Sequence, residues 1–159
     1  MALHKIDFDE FLDDSFGLIA IHCSLEDYRL AYLINMELDL RLKRQDLDLD
    51  YKYNAASYSI YEWVCNKEYT TWNLISNVCK REGDMLYSTG SLFENPQQTT
   101  KTFHLIPDMP KVDYFLKITS DLYHKRERLY ISQLQNIPQI IACYQVDIEK
   151  IKNIDHLIF

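Results

Sequence analysis

Glycine is nearly absent. Gly17, Gly83 and Gly90 are the only three in 159 residues. Three scattered glycines cannot build a phosphate cradle, and no GxGxxG, Walker loop or GxSxG occurs. Proline is almost as scarce, at four. Both counts argue against long linkers. No run of 18 apolar residues is present, so no membrane-spanning helix is expected. Met1 to Asp14 is an acidic lead without a long apolar core, which does not fit a secretory signal, and a cytoplasmic location is expected. No Cys-x-x-Cys pair occurs among Cys23, Cys65, Cys79 and Cys143, which reads as reduced thiols. His4, His22, His104, His124 and His156 show no metal-ligand spacing, so neither metal nor cofactor is expected. Positive charge is also short: 17 Lys and Arg stand against 24 Asp and Glu, a net charge of −7. That opposes general attraction to phosphate backbones, and no nucleic-acid partner is expected.

What is present is an ordinary globule: 47% apolar, 26% charged and the size of one domain. A domain near this length buries roughly 68–70% of the surface its unfolded chain exposes. Its organising stretch runs from Leu105 to Ile118. Pro107 and Pro110 exclude helix there, because proline lacks an N–H and pushes the preceding residue towards extended geometry. A strand over 102–106, a stiff corner and a strand over 112–119 are expected as neighbours in one sheet. In the second strand Val112, Tyr114, Leu116 and Ile118 form one apolar face.

Earlier in the chain, Phe16 to Cys23 reads as a central strand buried on both faces. Ser24 is the expected N-cap of a helix from Leu25 to Arg44, with Leu25, Tyr28, Tyr32, Leu38 and Leu42 as its stripe. Arg41, Lys43 and Arg44 would complement its C-terminus. Leu47 and Leu49 alternate with aspartates, as in a short edge strand. Residues 57–65 and 69–79 read as a hairpin centred on Lys67, with Cys65 opposite Tyr69. That register puts Tyr58, Ile60 and Val64 with Trp72 and Leu74, and turns Tyr61 and Trp63 to the other, contact-making face. Residues 80–101 read as an insertion holding some strand or short helix. A helix over 122–136, a strand over 140–146 and a short helix capped by Asp147 complete the chain. The expected fold is one α+β domain, 1–159: a largely antiparallel sheet with two main helices on one face, in ferredoxin-like βαββαβ order with inserted strands.

Two resemblances follow. Ile106-Pro107-Asp108-Met109-Pro110-Lys111-Val112-Asp113-Tyr114 resembles the signature of the IPExxxVDY family, with Asp108 where that motif has Glu. The run Leu18 to Leu33 is similar to that family's first strand and helix. The resemblance implies a bacterial protein and no particular activity. The segment from Val112 to Val146 resembles, more locally, the strand–helix–strand of ACT and RAM ligand-sensing domains.

For chemistry, a pocket of His22, Tyr28, Asp108 and Asp113 would suit acid–base catalysis if the four converge. His22 and Cys23 are adjacent on a strand and so point to opposite faces, which disfavours an activated thiol pair. Tyr61 and Trp63 are the candidate contact aromatics. The preferred reading is a non-catalytic binding or protein-interaction module with a homodimer or other protein partner. A small-molecule sensor and a small enzyme are the alternatives.

Overall fold

The computed structural model describes residues 16–51, 56–82 and 100–159. In chain order the elements are β1 (Phe16–Cys23), α1 (Asp27–Leu38), β2 (Lys43–Arg44), β3 (Leu49–Tyr51), β4 (Ala56–Tyr58), β5 (Ile60–Cys65), β6 (Thr70–Ser76), β7 (Val78–Glu82), β8 (Thr100–His104), β9 (Tyr114–Thr119), α2 (Tyr123–Gln135) and β10 (Ile140–Gln145). Two 3-10 turns, Ile148–Lys150 and Ile154–Leu157, follow. The main sheet has the order β10-β1-β9-β6-β5-β2, and β3–β4 and β7–β8 form two-stranded sheets. All pairs are antiparallel. The expected α+β class stands. The main sheet carries six strands, and β5 and β2 extend it beyond β6.

Two cores sandwich this sheet. On one face Ile19, Ile21, Trp72, Leu74, Leu116 and Ile118 meet Leu30, Ala31 and Ile34 of α1 and Leu134 of α2. Tyr123 of α2 sits directly over Gly17, where an added Cβ would come within 1.9 Å of its ring. A glycine is therefore required there by close approach. On the other face Leu18, Ala20, Ile60, Ile75 and Phe115 meet Ile106, Val112, Ile151 and Leu157. No α-helix covers that side among the described residues. Its cover is the proline corner, the small sheets and the C-terminal turns.

The proline corner has a simple geometry. Ser76 pairs with Tyr114, and Val78 pairs with His104. Residues 105–113 therefore fill the space opposite a single residue, Asn77. Backbone bonds tie both ends: Asn77 N–H donates to Asp113 O, and Leu105 N–H donates to Asn77 O, each at 2.9 Å. The fully buried Asn77 side chain completes the clamp. Its Nδ2 donates to Met109 O (2.9 Å) and Val112 O (2.8 Å), and its Oδ1 accepts from Ile106 N–H (2.9 Å). Irregular backbone is buried here without loss of hydrogen bonds because one amide supplies all three.

Several expectations are corrected. The strands flanking the corner do not share a sheet: β8 pairs with β7, and β9 lies inside the main sheet. The excursion opposite Asn77 breaks the ladder between them. β9 is buried on both faces, with Phe115 in one core and Tyr114, Leu116 and Ile118 in the other; Val112, expected on the latter face, belongs to the corner and joins the core of Phe115. The hairpin pairs Cys65 with Thr70, one residue from the expected register. A four-residue tip, closed by Glu68 N–H to Cys65 O, puts Tyr69 rather than Asn66 in the left-handed region at φ 49°. A one-residue slip changes which side chains share a face. Tyr61 and Trp63 thus join Trp72 and Leu74 beneath the helices.

α1 stops at Leu38. Asp39 is left-handed (φ 53°), and Asn35 then takes the chain over: its Oδ1 accepts from Leu42 N–H (2.9 Å) and its Nδ2 donates to Leu42 O (3.1 Å). Lys43 and Arg44 consequently pair with β5 and do not complement a helix end. Ser24 is not the N-cap; Glu26 holds that place, with no side-chain bond. The stripe expected along α2 at Tyr123, Tyr130, Leu134 and Ile137 packs inward, with Tyr130 half-buried and the other three buried, and Asp147 caps Ile148–Lys150 by accepting from Glu149 N–H. Residues 1–14 and 83–99 lie outside the described residues; the ends of the expected insertion are strand, in β7 and β8.

Candidate functional site

Of the sequence candidates, Asp113 lies at the turn from β1 to α1, and its bonds define what it does. The Asp113 carboxylate accepts from Cys23 N–H at 2.9 Å. Its own N–H donates to Ile21 O. Tyr114 follows it, and its hydroxyl donates to Leu25 O at 2.6 Å. The Asp-Tyr pair at the end of the corner thus grips the backbone on both sides of Ser24 and fixes where α1 starts. Burial raises the Tyr114 phenol well above its ordinary pKa, and the nearby Asp27 and Cys23 add to this. The same turn holds Cys23, whose sulfur accepts from Leu25 N–H at 3.5 Å. Burial pushes this thiol up, the Leu25 bond opposes the shift, and the Asp113 charge adds to it. A thiol held protonated is a poor nucleophile.

The other candidates have separate partners. His22 Nε2 lies 3.2 Å from the Tyr144 hydroxyl at the outer edge of the sheet, with ring centroids 5.6 Å apart. Asp108 accepts from Lys152 N–H at 3.2 Å and anchors the C-terminal segment to the corner. His156 reinforces that anchor: its Nδ1 donates to Leu105 O at 2.6 Å, which places the ring proton on that nitrogen. Tyr61 is 7% exposed, so its ring is core, with the Arg44 guanidinium 5.7 Å from its centroid. Trp63 packs against the same helix-side core. Burial withdraws Tyr61 from a contact surface, while Trp63 is half-buried.

Tyr28 has a different setting. With Tyr32 and Met36 it forms a row at four-residue spacing on the outer side of α1, 55%, 62% and 69% exposed. Leu25, Tyr28, Arg29, Tyr32, Leu33 and Gln139 line a cavity of about 570 Å³ beside this row. Of the stripe expected to face the core, Tyr28 and Tyr32 face outward, whereas Leu25 and Leu38 pack against the helix-side core and Leu42 is buried in it. α1 carries two apolar rows, and the aliphatic one, Leu30, Ala31 and Ile34, lies against the sheet. Periodicity alone does not choose between them; the flat packing surface does.

A second cavity, of about 730 Å³, opens where β1 and β10 meet the C-terminal turns, with Phe16, Lys117, Tyr123, Ile148 and Phe159 among its lining. Lys117 is the feature that sequence alternation misses, since it reads there as a solvent-facing residue. It is buried, donates to Leu157 O at 2.7 Å, and places its ammonium 4.8 Å and 4.4 Å from the ring centroids of Phe16 and Phe159. Tyr123 has a buried hydroxyl with no hydrogen-bond partner among the described residues, and burial raises its pKa strongly. Among the described residues no group of three or more His, Cys, Asp or Glu is placed to hold a metal ion. No described helix is long and apolar enough to cross a membrane.

No family model, no curated protein and no solved structure matches this chain.

Proposed function

We propose that this protein is a non-catalytic interaction module that meets a protein partner through the outer face of α1. One observation carries the reading: Tyr28, Tyr32 and Met36 stand exposed in a row beside an apolar cavity, on a helix whose other apolar row already satisfies the core. The motif residues support it from the other side. Asp108, Asp113 and Tyr114 each spend their polar atoms on backbone groups, which is the work of a scaffold. The same motif, together with the Leu18 to Leu33 segment, supports membership of the IPExxxVDY family, a bacterial origin and a cytoplasmic setting. Taken without β5 and β2, the order β10-β1-β9-β6 is compatible with the interleaved ferredoxin-like arrangement. The test is affinity capture from the native cells with the intact chain and with Tyr28→Glu/Tyr32→Glu, whose substitutions lie on exposed positions. A specific partner retained by the first and lost by the second, at equal thermal stability, supports the proposal. Equal capture by both overturns it.

A small-molecule-sensing role, as in ACT and RAM domains, is the second reading, and the 730 Å³ cavity beside Lys117 favours it. Metabolite-dependent shifts in thermal unfolding, abolished by Lys117→Met, would support that role.

A further inference from the structure

The two edges of the main sheet are built differently. The β2 edge is two residues long, and both are cations, Lys43 and Arg44. Short strands with charged side chains are the usual protection against unwanted pairing. The β10 edge is six residues, Ile-Ile-Ala-Cys-Tyr-Gln, and the chain carries no charged residue from Asn136 to Val146. Ile141 there is 77% exposed and Tyr144 is 42% exposed. No described strand pairs with the outer side of β10.

We infer that β10 pairs antiparallel with β10 of a second copy, joining two sheets into one across a two-fold axis. The inference rests on the interaction-module reading and names a further partner surface for it. Three features select a second copy. The first is charge: a chain of net charge −7 meets a second copy without like-charge contact along an uncharged strip, and residues 136–146 are such a strip. The second is backbone direction. Val146 N–H donates to Leu18 O at 2.8 Å, and Tyr144 and Ala142 pair with Ala20 and His22. By strand alternation the N–H and C=O groups of Cys143 and Gln145 then face outward. An axis through Tyr144 pairs Cys143 of each copy with Gln145 of the other and satisfies these groups reciprocally, as a two-fold interface requires. The third is register. The ladder shifts between His22 and Cys23, which leaves Ile141 as the extra residue of a bulge. Pairing about Tyr144 uses the straight stretch beyond that bulge. It also sets Asp147 opposite Ile141 and avoids a second aspartate.

In this register Tyr144 faces its own symmetry mate as a non-hydrogen-bonded pair. Such pairs have Cα atoms about 4.5 Å apart, within the range of about 4.4–6.8 Å that a disulfide spans. The experiment uses the full chain with Cys65→Ser and adds Tyr144→Cys, then air oxidation followed by non-reducing electrophoresis. Two thiols lose two protons and two electrons to dioxygen, forming one S–S bond. A cross-linked dimer from Tyr144→Cys, with none from Lys43→Cys on the opposite edge, is the expected result. Light scattering of the unmodified chain should give a concentration-dependent mass rising towards twice that of one chain. Tyr144→Lys places like charges face to face and should weaken self-association by about tenfold or more. A monomer at all concentrations, or equal cross-linking at both edges, overturns the inference. The interaction-module reading would survive that outcome if the Tyr28/Tyr32 variant still loses its partner.

Discussion

The two faces of the main sheet bury comparable apolar cores under different covers. The helix face is covered by α1 and α2, whose backbones satisfy themselves, so it needs only apolar side chains of the right shape. The other face is covered by irregular chain, the corner at 105–113 and the turns after β10. Such chain brings unpaired N–H and C=O groups into the interior. Of the buried polar residues among those described, Asn73, Asn77 and Lys117 lie on that second face or at its margin, and Thr70 sits at the hairpin tip, where it donates to Glu68 O. Asn77 serves three backbone groups and Lys117 serves Leu157 O, while His156 and Asp108 serve two more. The difference teaches that Asn77 and Lys117 are buried where non-repetitive backbone enters the interior, whereas Asn73, between regular strands, donates to the Glu62 side chain.

Substitutions can break this contrast, and the largest effect should come from the corner face. Asn77→Ala leaves Ile106 N–H and Val112 O buried without their partners and takes from Met109 O one of its two donors, the other being Val112 N–H. At about 1–3 kcal/mol for each such group, the loss should reach about 3 kcal/mol or more in urea unfolding. A loss below about 1 kcal/mol would show that the corner does not depend on this clamp. On the helix face shape is the limit. Gly17→Ala drives a methyl into the Tyr123 ring and should cost about 1–3 kcal/mol, a cost that Tyr123→Leu in the same chain relieves. Simple additivity of the two changes would contradict the packing account.

The alkaline limb of stability sharpens the comparison, because both strongly shifted phenols, Tyr114 and Tyr123, belong to the helix-face core. Their pKa values are raised in the folded state, so the unfolded chain loses these protons first. Their contribution is fully present below about pH 10, the unfolded tyrosine value, and falls as pH rises above it. The slope should be up to about 1.4 kcal/mol per pH unit for each tyrosine. Tyr114→Phe/Tyr123→Phe should flatten that limb; an unchanged slope would locate the alkaline sensitivity elsewhere. Tyr123→Phe alone removes an orphaned hydroxyl and should be neutral or slightly stabilising at pH 7, in contrast to Asn77→Ala. The smallest effect belongs to the surface. Lys150→Ala breaks an exposed pair with Asp147 and should leave the thermal midpoint unchanged.

Much of this was legible along the chain. The β1 run, the α2 stripe, the Asp147 cap and the proline-enforced break are local, and residues within one or two turns carry the signal. The face assignment of β5 and β6 was not legible, because the positive φ at Tyr69 shifts the register by one and nothing in the tip announces it. The end of α1 was hidden for a similar reason: Asn35 reaches seven residues ahead to Leu42 and stops a helix that spacing alone would extend. At the candidate site, the residue types of Asp108, Asp113 and Tyr114 were readable, but their partners were backbone groups far along the chain, which no side-chain pattern encodes.

Local chemistry along the chain thus decided the α+β class, the sites of its helices and the stiff corner, since backbone angles and burial patterns act over a few residues. Long-range packing decided which apolar row of α1 faces inward, where Tyr61 and Lys117 are buried, and that the corner lies opposite Asn77. Each of those choices compares surfaces brought together only when distant segments close on one sheet, and that comparison has no counterpart in the order of residues.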